Sequence, residues 1–315
     1  LKNPKKILAK TDGPLLVPRQ YYEKEGLVDN IVFPSGAMIK NDWVYLYYGA
    51  ADTTCALAFI KLDSLFDQMF QKKLKNLSLK RPLKKPLISP REKNEWEKKA
   101  AFNPAALYLD GKYHIVYRAM SEDNTSVLGY ATSKDGLKID HRSEKPIYTP
   151  REKFEEKKIP GGNSGCEDPR LTKLGSKIYL LYTAYNGQDY PRVAMSSIKE
   201  EDFLKGNWKW SKPQLISPSR IGDKDAALFP EKINGKYYFL HRIENDIDLC
   251  IKDSLNFEKK FANETEWLSP RKGWWDSKKV GAAAPPVKTE YGWVLFYPGI
   301  SEDNSYSVGA VLLDL

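Results

Sequence analysis

The chain has 315 residues, 41% of them hydrophobic and 12% aromatic, with a mean hydropathy of −0.56. That length holds one large β domain or two ordinary ones, and no run approaches the roughly 18 apolar residues of a membrane span. The formal charge is +9, but residues 71–100 hold eleven Lys/Arg against three Glu, so the excess sits in one segment; that segment lacks the aromatic interleaving of a nucleic-acid surface.

No leader with charged and apolar regions opens the sequence, so a soluble cytoplasmic protein is expected, with neither nucleic acid nor membrane as partner. Three scattered cysteines (Cys55, Cys166, Cys250) argue against a disulfide framework or zinc site. Three scattered histidines (His114, His141, His241) argue against a metal enzyme. No cofactor is expected: GxGxxG, Walker A, CxxC, HExxH and Gly-x-Ser-x-Gly patterns are all missing.

One phrase recurs along the chain: a turn, a strand rich in aromatics, a polar gap, then a second strand with small residues. It first appears as Asp42–Gly49 followed by Cys55–Ile60. Leu62–Leu74 alone reads as helical. Residues 66–100 read as a solvated basic linker. The phrase returns as Gly111–Arg118 with Leu128–Gly136, and as Ser176–Thr183 with Arg192–Ser196. It returns again as Gly235–Arg242 with Ile247–Asp253, and as Gly292–Tyr297 with Tyr306–Leu313. The last four copies lie about 60 residues apart, and a lone hairpin cannot bury both faces. The expectation is therefore all-β, a single five-bladed β-propeller over 1–315, with a β-sandwich as runner-up. Such a ring brings loops from every unit to one axial pocket, so site residues should be scattered, one or two per unit.

Several stretches are candidates for that pocket. Tyr48-Gly-Ala-Ala-Asp52 leaves an acid after a strand, where a sugar hydroxyl binds. Ala101-Phe-Asn-Pro-Ala-Ala-Leu107 offers Asn103, which is equally a turn residue before proline. The following strand ends at Arg118, which shares a face with His114 and Val116 and so is either paired internally or lines a pocket. Gly165-Cys-Glu-Asp-Pro-Arg-Leu171 sets two acids before a proline, and Pro169 biases Asp168 towards an extended backbone. On its own that stretch is equally a salt-bridged turn. Lys224, Arg242 and Lys279 would form an oxyanion site if they converged, with arginine as a two-pronged fork; otherwise they are surface charges. Ser133-Lys-Asp-Gly136 reads as a structural turn. Carboxylates, arginines and aromatic faces together suit carbohydrate chemistry.

The chain resembles the glycoside hydrolase family 130 enzymes, which act on β-mannosides. The motifs that carry the likeness are Phe102-Asn-Pro-Ala-Ala106, Gly165-Cys-Glu-Asp-Pro-Arg170, Lys224-Asp-Ala-Ala-Leu-Phe-Pro230 with Leu240-His-Arg242, Gly281–Pro286 with Gly292-Trp293, and Tyr47-Tyr-Gly-Ala-Ala-Asp52. They touch every unit. Their order differs from the family's usual one: the unit at 1–65 is normally last, 66–100 joins it to the usual beginning, and 101–315 holds the other four, as in a circular permutation. Pro298 stands where the family often has histidine, and Cys166 where valine is common.

The resemblance implies Asp168 as general acid, acting through a hydroxyl of the mannosyl ring. It implies Asn103, Arg118 and Asp52, with Glu167, as residues that hold the sugar. It implies Lys224, Arg242 and Lys279 as the phosphate site, and so phosphorolysis to mannose 1-phosphate with inversion. The expected partners are a β-mannoside oligosaccharide and inorganic phosphate as co-substrate, with a homo-oligomer allowed. The alternatives are a β-mannosidase using water, with Glu167 or Glu231 as its base, and a catalytically silent carbohydrate-binding propeller.

Overall fold

Each recurring phrase folds as part of an antiparallel meander, because alternating aromatic and branched residues suit a pleated surface buried on both faces. The computed structural model describes residues 2–71, 78–257, 260–261 and 266–315. A short strand β1 (Ile7–Lys10) precedes the first meander, β2 (Val32–Lys40), β3 (Trp43–Ala50) and β4 (Thr54–Lys61). The second is β5 (Ala100–Leu109), β6 (Lys112–Met120), β7 (Thr125–Ser133) and β8 (His141–Arg142). The third is β9 (Ser164–Leu174), β10 (Lys177–Tyr185), β11 (Arg192–Lys199) and β12 (Gln214–Leu215). The fourth is β13 (Asp223–Leu228), β14 (Tyr237–Ile243), β15 (Asp246–Lys252) and β16 (Glu266–Leu268). The fifth is β17 (Lys279–Val280), β18 (Val287–Thr289), β19 (Gly292–Ile300) and β20 (Tyr306–Leu313), with β1 paired antiparallel to β20. A two-residue parallel contact between β7 and β9 joins the second and third meanders into one sheet, so the described strands form four hydrogen-bonded sheets.

Period-two alternation sends neighbouring residues of each middle strand into different cores. Tyr47 packs with Ile115 and Tyr117 of the second meander, whereas Tyr48 packs with Phe296 and Leu312 of the fifth. Val116 meets Leu180 and Tyr182; Leu181 meets Leu228 and Phe239; Leu240 meets Trp293 and Leu295. Every meander thus shares one core with the meander before it and one with the meander after it, the first with the last included. A slip of one residue in any middle strand would exchange its two cores.

A buried carboxylate backs each middle strand at one repeated position. Tyr48 Oη donates to Glu23 at 2.6 Å, Tyr117 Oη to Glu97 at 2.8 Å and Tyr297 Oη to Asp276 at 2.9 Å. Tyr182 Oη donates to Glu155, and in the fourth meander His241 Nδ1 lies 3.0 Å from Asp223. All five carboxylates are fully buried. The residue after each of these rings, Gly49, Arg118, Thr183, Arg242 or Pro298, lies on the opposite face of its strand.

Three expectations change. The basic segment 66–100 is not a free linker: Leu79 and Ile88 are buried, and bridges Phe59↔Lys80 and Cys55↔Ile88 add an outer edge to the first meander. Its Arg81 forms an ion pair with Glu23 at 2.6 Å, and its Arg91 one with Glu97 at 2.5 Å. Charge alone could not reveal this, since both carboxylate partners lie outside the basic run or at its end. Residues 72–77 of that segment lie outside the described residues. The helix expected over Leu62–Leu74 is one α-turn, Leu62–Phe66, followed by a π-turn, Asp67–Gln71. Two more short helices, Tyr21–Lys24 and Glu200–Leu204, are too brief to leave a periodic signal. The turn at Ser133–Gly136 is structural as expected: Gly136 has φ +79° and its N–H donates to Ser133 Oγ.

Candidate active site

Three inner strands carry the same break. In β5, β9 and β13 one extra residue enters the ladder between Phe102 and Ala105, between Glu167 and Arg170, and between Lys224 and Ala227. The residue that begins each bulge is Asn103 (φ +49°), Asp168 (φ +52°) or Asp225 (φ +55°). Asn and Asp tolerate the left-handed region better than other non-glycine residues, and a bulge re-aims the side chain. Asp168 is therefore not extended; the bulge overrides the bias that Pro169 imposes. Asp52 (φ +50°) reaches the same space from the β3–β4 turn.

The result is one cavity of about 170 Å³, lined by Asp52, Asn103, Arg118, Asp168, Lys224, Arg242 and Lys279. These are the residues that the sequence pointed to from five separate units, and the fold brings all seven together. Arg118 sits inside β6, which continues to Met120, rather than at its end.

On one side of the cavity Asp168 Oδ1 accepts from Asn103 Nδ2 at 2.8 Å and from Arg118 Nη1 at 3.2 Å. Burial presses the Asp168 carboxyl upward, but Arg118, Lys224, Arg170 and the Asn103 bond outweigh it and hold the group well below the usual carboxylate range. Burial, aided by the neighbouring charge of Asp168, pushes the Asp52 carboxyl up to about 6. Glu167 does not line the cavity. It stands behind it, accepting from Arg118 Nη2 at 3.1 Å and Lys224 Nζ at 3.0 Å, and so fixes two of the lining cations. Arg170 makes no bridge to the Asp168 carboxylate; fully buried, it donates to the carbonyls of Asp168, Pro169 and Ala283.

On the other side Arg242 Nε donates to Asp225 Oδ2 at 2.6 Å and Nη1 to the Glu244 carbonyl at 2.8 Å. The two-pronged fork expected of Arg242 is thus partly taken up by the protein. The Lys279 side chain makes no hydrogen bond or ion pair among the described residues, although its backbone pairs with Ile300. Burial and the nearby Arg242 lower its pKa. Glu231 lies elsewhere, half-exposed and paired with Lys288 at 2.6 Å, so it is no candidate base for this cavity.

Five lining residues carried no role in the sequence reading: Ile31, Phe33, Asp225, Ile300 and Tyr306. Asp225 had a readable signal, since Lys224-Asp225 stands in its strand as Phe102-Asn103 and Glu167-Asp168 stand in theirs. The two aromatics had none among 19 Tyr and 12 Phe. Pro298 also lines the wall.

A family profile described as beta-1,4-mannooligosaccharide phosphorylase, glycoside hydrolase family 130, matches residues 1–71 and 78–315. The chain is 40% identical to a beta-1,2-mannobiose phosphorylase of Thermoanaerobacter sp. (strain X514), covering 73% of this chain and 75% of that one. It is 38% identical to a 1,2-beta-oligomannan phosphorylase of the same organism, covering 76% and 77%. Among solved structures, a glycosyl hydrolase from Bacteroides ovatus aligns with a TM-score of 0.60 and 26% identity, covering 72% and 73%.

Proposed function

Because the chain belongs to glycoside hydrolase family 130, we propose that it is a five-bladed propeller enzyme that cleaves β-mannosides with inorganic phosphate, releasing mannose 1-phosphate. One observation carries the reading: a carboxylate held by Asn103 and Arg118 shares a cavity with three further basic side chains, one of which, Lys279, makes no side-chain hydrogen bond or ion pair among the described residues. The cyclic sharing of cores supports five blades. The order of the motifs along the chain, with Tyr47-Tyr-Gly-Ala-Ala-Asp52 ahead of Phe102-Asn-Pro-Ala-Ala106, is what supports a rotated order of units. The relatives at 40% and 38% identity are a beta-1,2-mannobiose and a 1,2-beta-oligomannan phosphorylase, which favours β-1,2 linkages over the β-1,4 of the family profile.

Asn103, Arg118 and Asp52 hold the mannosyl unit in this mechanism, and Lys224, Arg242 and Lys279 hold phosphate on the face opposite the leaving oxygen. A phosphate oxygen bonds to the anomeric carbon as the glycosidic bond breaks, and the leaving oxygen takes the proton that originates at Asp168. An inverting hydrolase needs a second carboxylate to activate water. Phosphate is already a nucleophilic anion and needs cations instead. The same geometry couples the two halves. Lys224 helps to hold Asp168 ionised. A phosphate beside Lys224 offsets that field and raises the proton affinity of Asp168, so the carboxylate takes up a proton from solvent more readily once the nucleophile is bound and can pass it to the leaving oxygen. The product is a charged sugar phosphate that crosses no membrane unaided, which suits a cytoplasmic enzyme.

The test is a panel of β-1,2- and β-1,4-mannobioses incubated with and without phosphate. Phosphate-dependent release of mannose 1-phosphate is expected, fastest on β-1,2. Equal release of free mannose without phosphate would replace this reading with a mannosidase.

A further inference from the structure

We propose that Asp225 is a specificity-determining residue: it makes the anion site select an anion that carries a hydroxyl, a hydrogen phosphate, over one that carries none, such as sulfate. The inference rests on the phosphate reading of this cavity and names what that site rejects.

Asp225 is only 6% exposed and lines the cavity beside Lys224, Arg242 and Lys279. It is the one carboxylate on the basic side. Its position is fixed by the left-handed bulge and by close backbone: an alanine Cβ at Gly281 would stand 2.9 Å from Oδ2. Oδ2 is occupied by Arg242 Nε. Oδ1 accepts no hydrogen bond among the described residues, although its side chain faces a cluster of donors.

A lone acceptor among donors is costly for an anion site unless the anion can donate. Monohydrogen phosphate offers several acceptor oxygens and one O–H. The O–H can donate to Oδ1 while the other oxygens meet the lysines and Arg242 Nη2. Sulfate at neutral pH has acceptors only, so one of its oxygens would face the carboxylate with like charge and no proton between them. A charge-assisted hydrogen bond gained in one case and lost in the other separates the two anions by about tenfold or more.

The competing role is purely structural, with Asp225 doing no more than hold Arg242. Asp225→Asn separates the two. Its amide oxygen still accepts from Arg242 Nε, while its NH2 turns the free acceptor into a donor. The experiment measures phosphate and sulfate binding to the sugar-free protein by calorimetry, and sulfate inhibition of phosphorolysis. Wild type should prefer phosphate by about tenfold or more, and Asp225→Asn should shrink that ratio by about tenfold, chiefly through tighter sulfate binding. Parallel weakening of both anions in the variant would overturn the proposal, and so would a wild type that binds sulfate as well as phosphate. The wild-type ratio stands whether or not the variant folds. A wild type that binds neither anion and turns over without phosphate would instead remove the phosphate reading itself.

Discussion

Asn103 Nδ2 donates to Asp168 Oδ1 at 2.8 Å, and the two residues hold the same place in successive inner strands, each at the head of a left-handed bulge. A repeated backbone device thus supplies both the acid and its orienting donor. Asp168→Asn keeps the shape but removes the proton source. It should lower kcat by about 10²–10⁴ on a substrate with a poor leaving group and leave the circular dichroism spectrum unchanged. Near-normal turnover would show that another group is the acid.

Gly49 guards that donor from the first meander. An alanine Cβ at this position would lie 1.9 Å from Asn103 Oδ1. Gly49→Ala should therefore swing the amide away from Asp168. A displacement of about 1 Å at such a contact costs on the order of 100-fold in rate, so kcat/KM is the quantity to measure. Unchanged kinetics would mean that Asn103 orients nothing.

Asp52 predicts a pH-dependent stability. Its folded pKa of about 6 lies above the ordinary value of 3.8, so the folded state binds its proton more tightly than the unfolded state does. The stability this contributes is fully present below the unfolded value and is lost as pH rises through the folded one. Asp52→Asn removes that loss. Its Tm should exceed that of wild type at pH 8, with the gap closing between pH 6 and 4. The gain is at most about 2–3 kcal/mol. A gap that is constant with pH would contradict the assignment.

Among the described residues, Lys279 is the basic residue of the cavity whose side chain makes no hydrogen bond or ion pair. Lys279→Met should raise the phosphate concentration needed for half-maximal rate by about tenfold or more. Thermal unfolding should shift little, or upward, because the variant buries no unpaired charge. Initial rates against phosphate, paired with a melting curve, check both halves.

Arg81 tests the basic segment. With Arg81→Ala, Glu23 is left buried with only the Tyr48 hydroxyl and backbone N–H groups as donors. Removing one partner of a buried pair costs about 3–5 kcal/mol. Urea unfolding should report a loss of that order, while the variant that remains folded keeps its turnover. A loss below about 1 kcal/mol would return this segment to the status of a solvated linker.

Much of the site was legible because its residues sit beside proline or small residues at strand entrances. Asn103, Asp168 and Lys224 each mark an inner strand, and Arg118 and Arg242 each follow a ring on a middle strand. What sequence could not supply was direction. Alternation places Glu167 next to Asp168 but does not say which of the two enters the cavity; the bulge decides, and a bulge leaves no period of its own. The basic run misled for a related reason. Arg81 is written like its solvated neighbours, and only the distant Glu23 marks it as internal.

The pairing of Ile7 with Leu313 and of Lys10 with Val311 joins stretches separated by almost the whole chain. Such a contact carries a high loop-closure entropy and rewards the chain only once the intervening meanders are in place. The seam between β1 and β20 should then be the last ladder to zip during folding and the first to open under load. Amide exchange at Ala9 and Lys10 should report that opening, as a local gate on the kinetic lifetime of the whole ring.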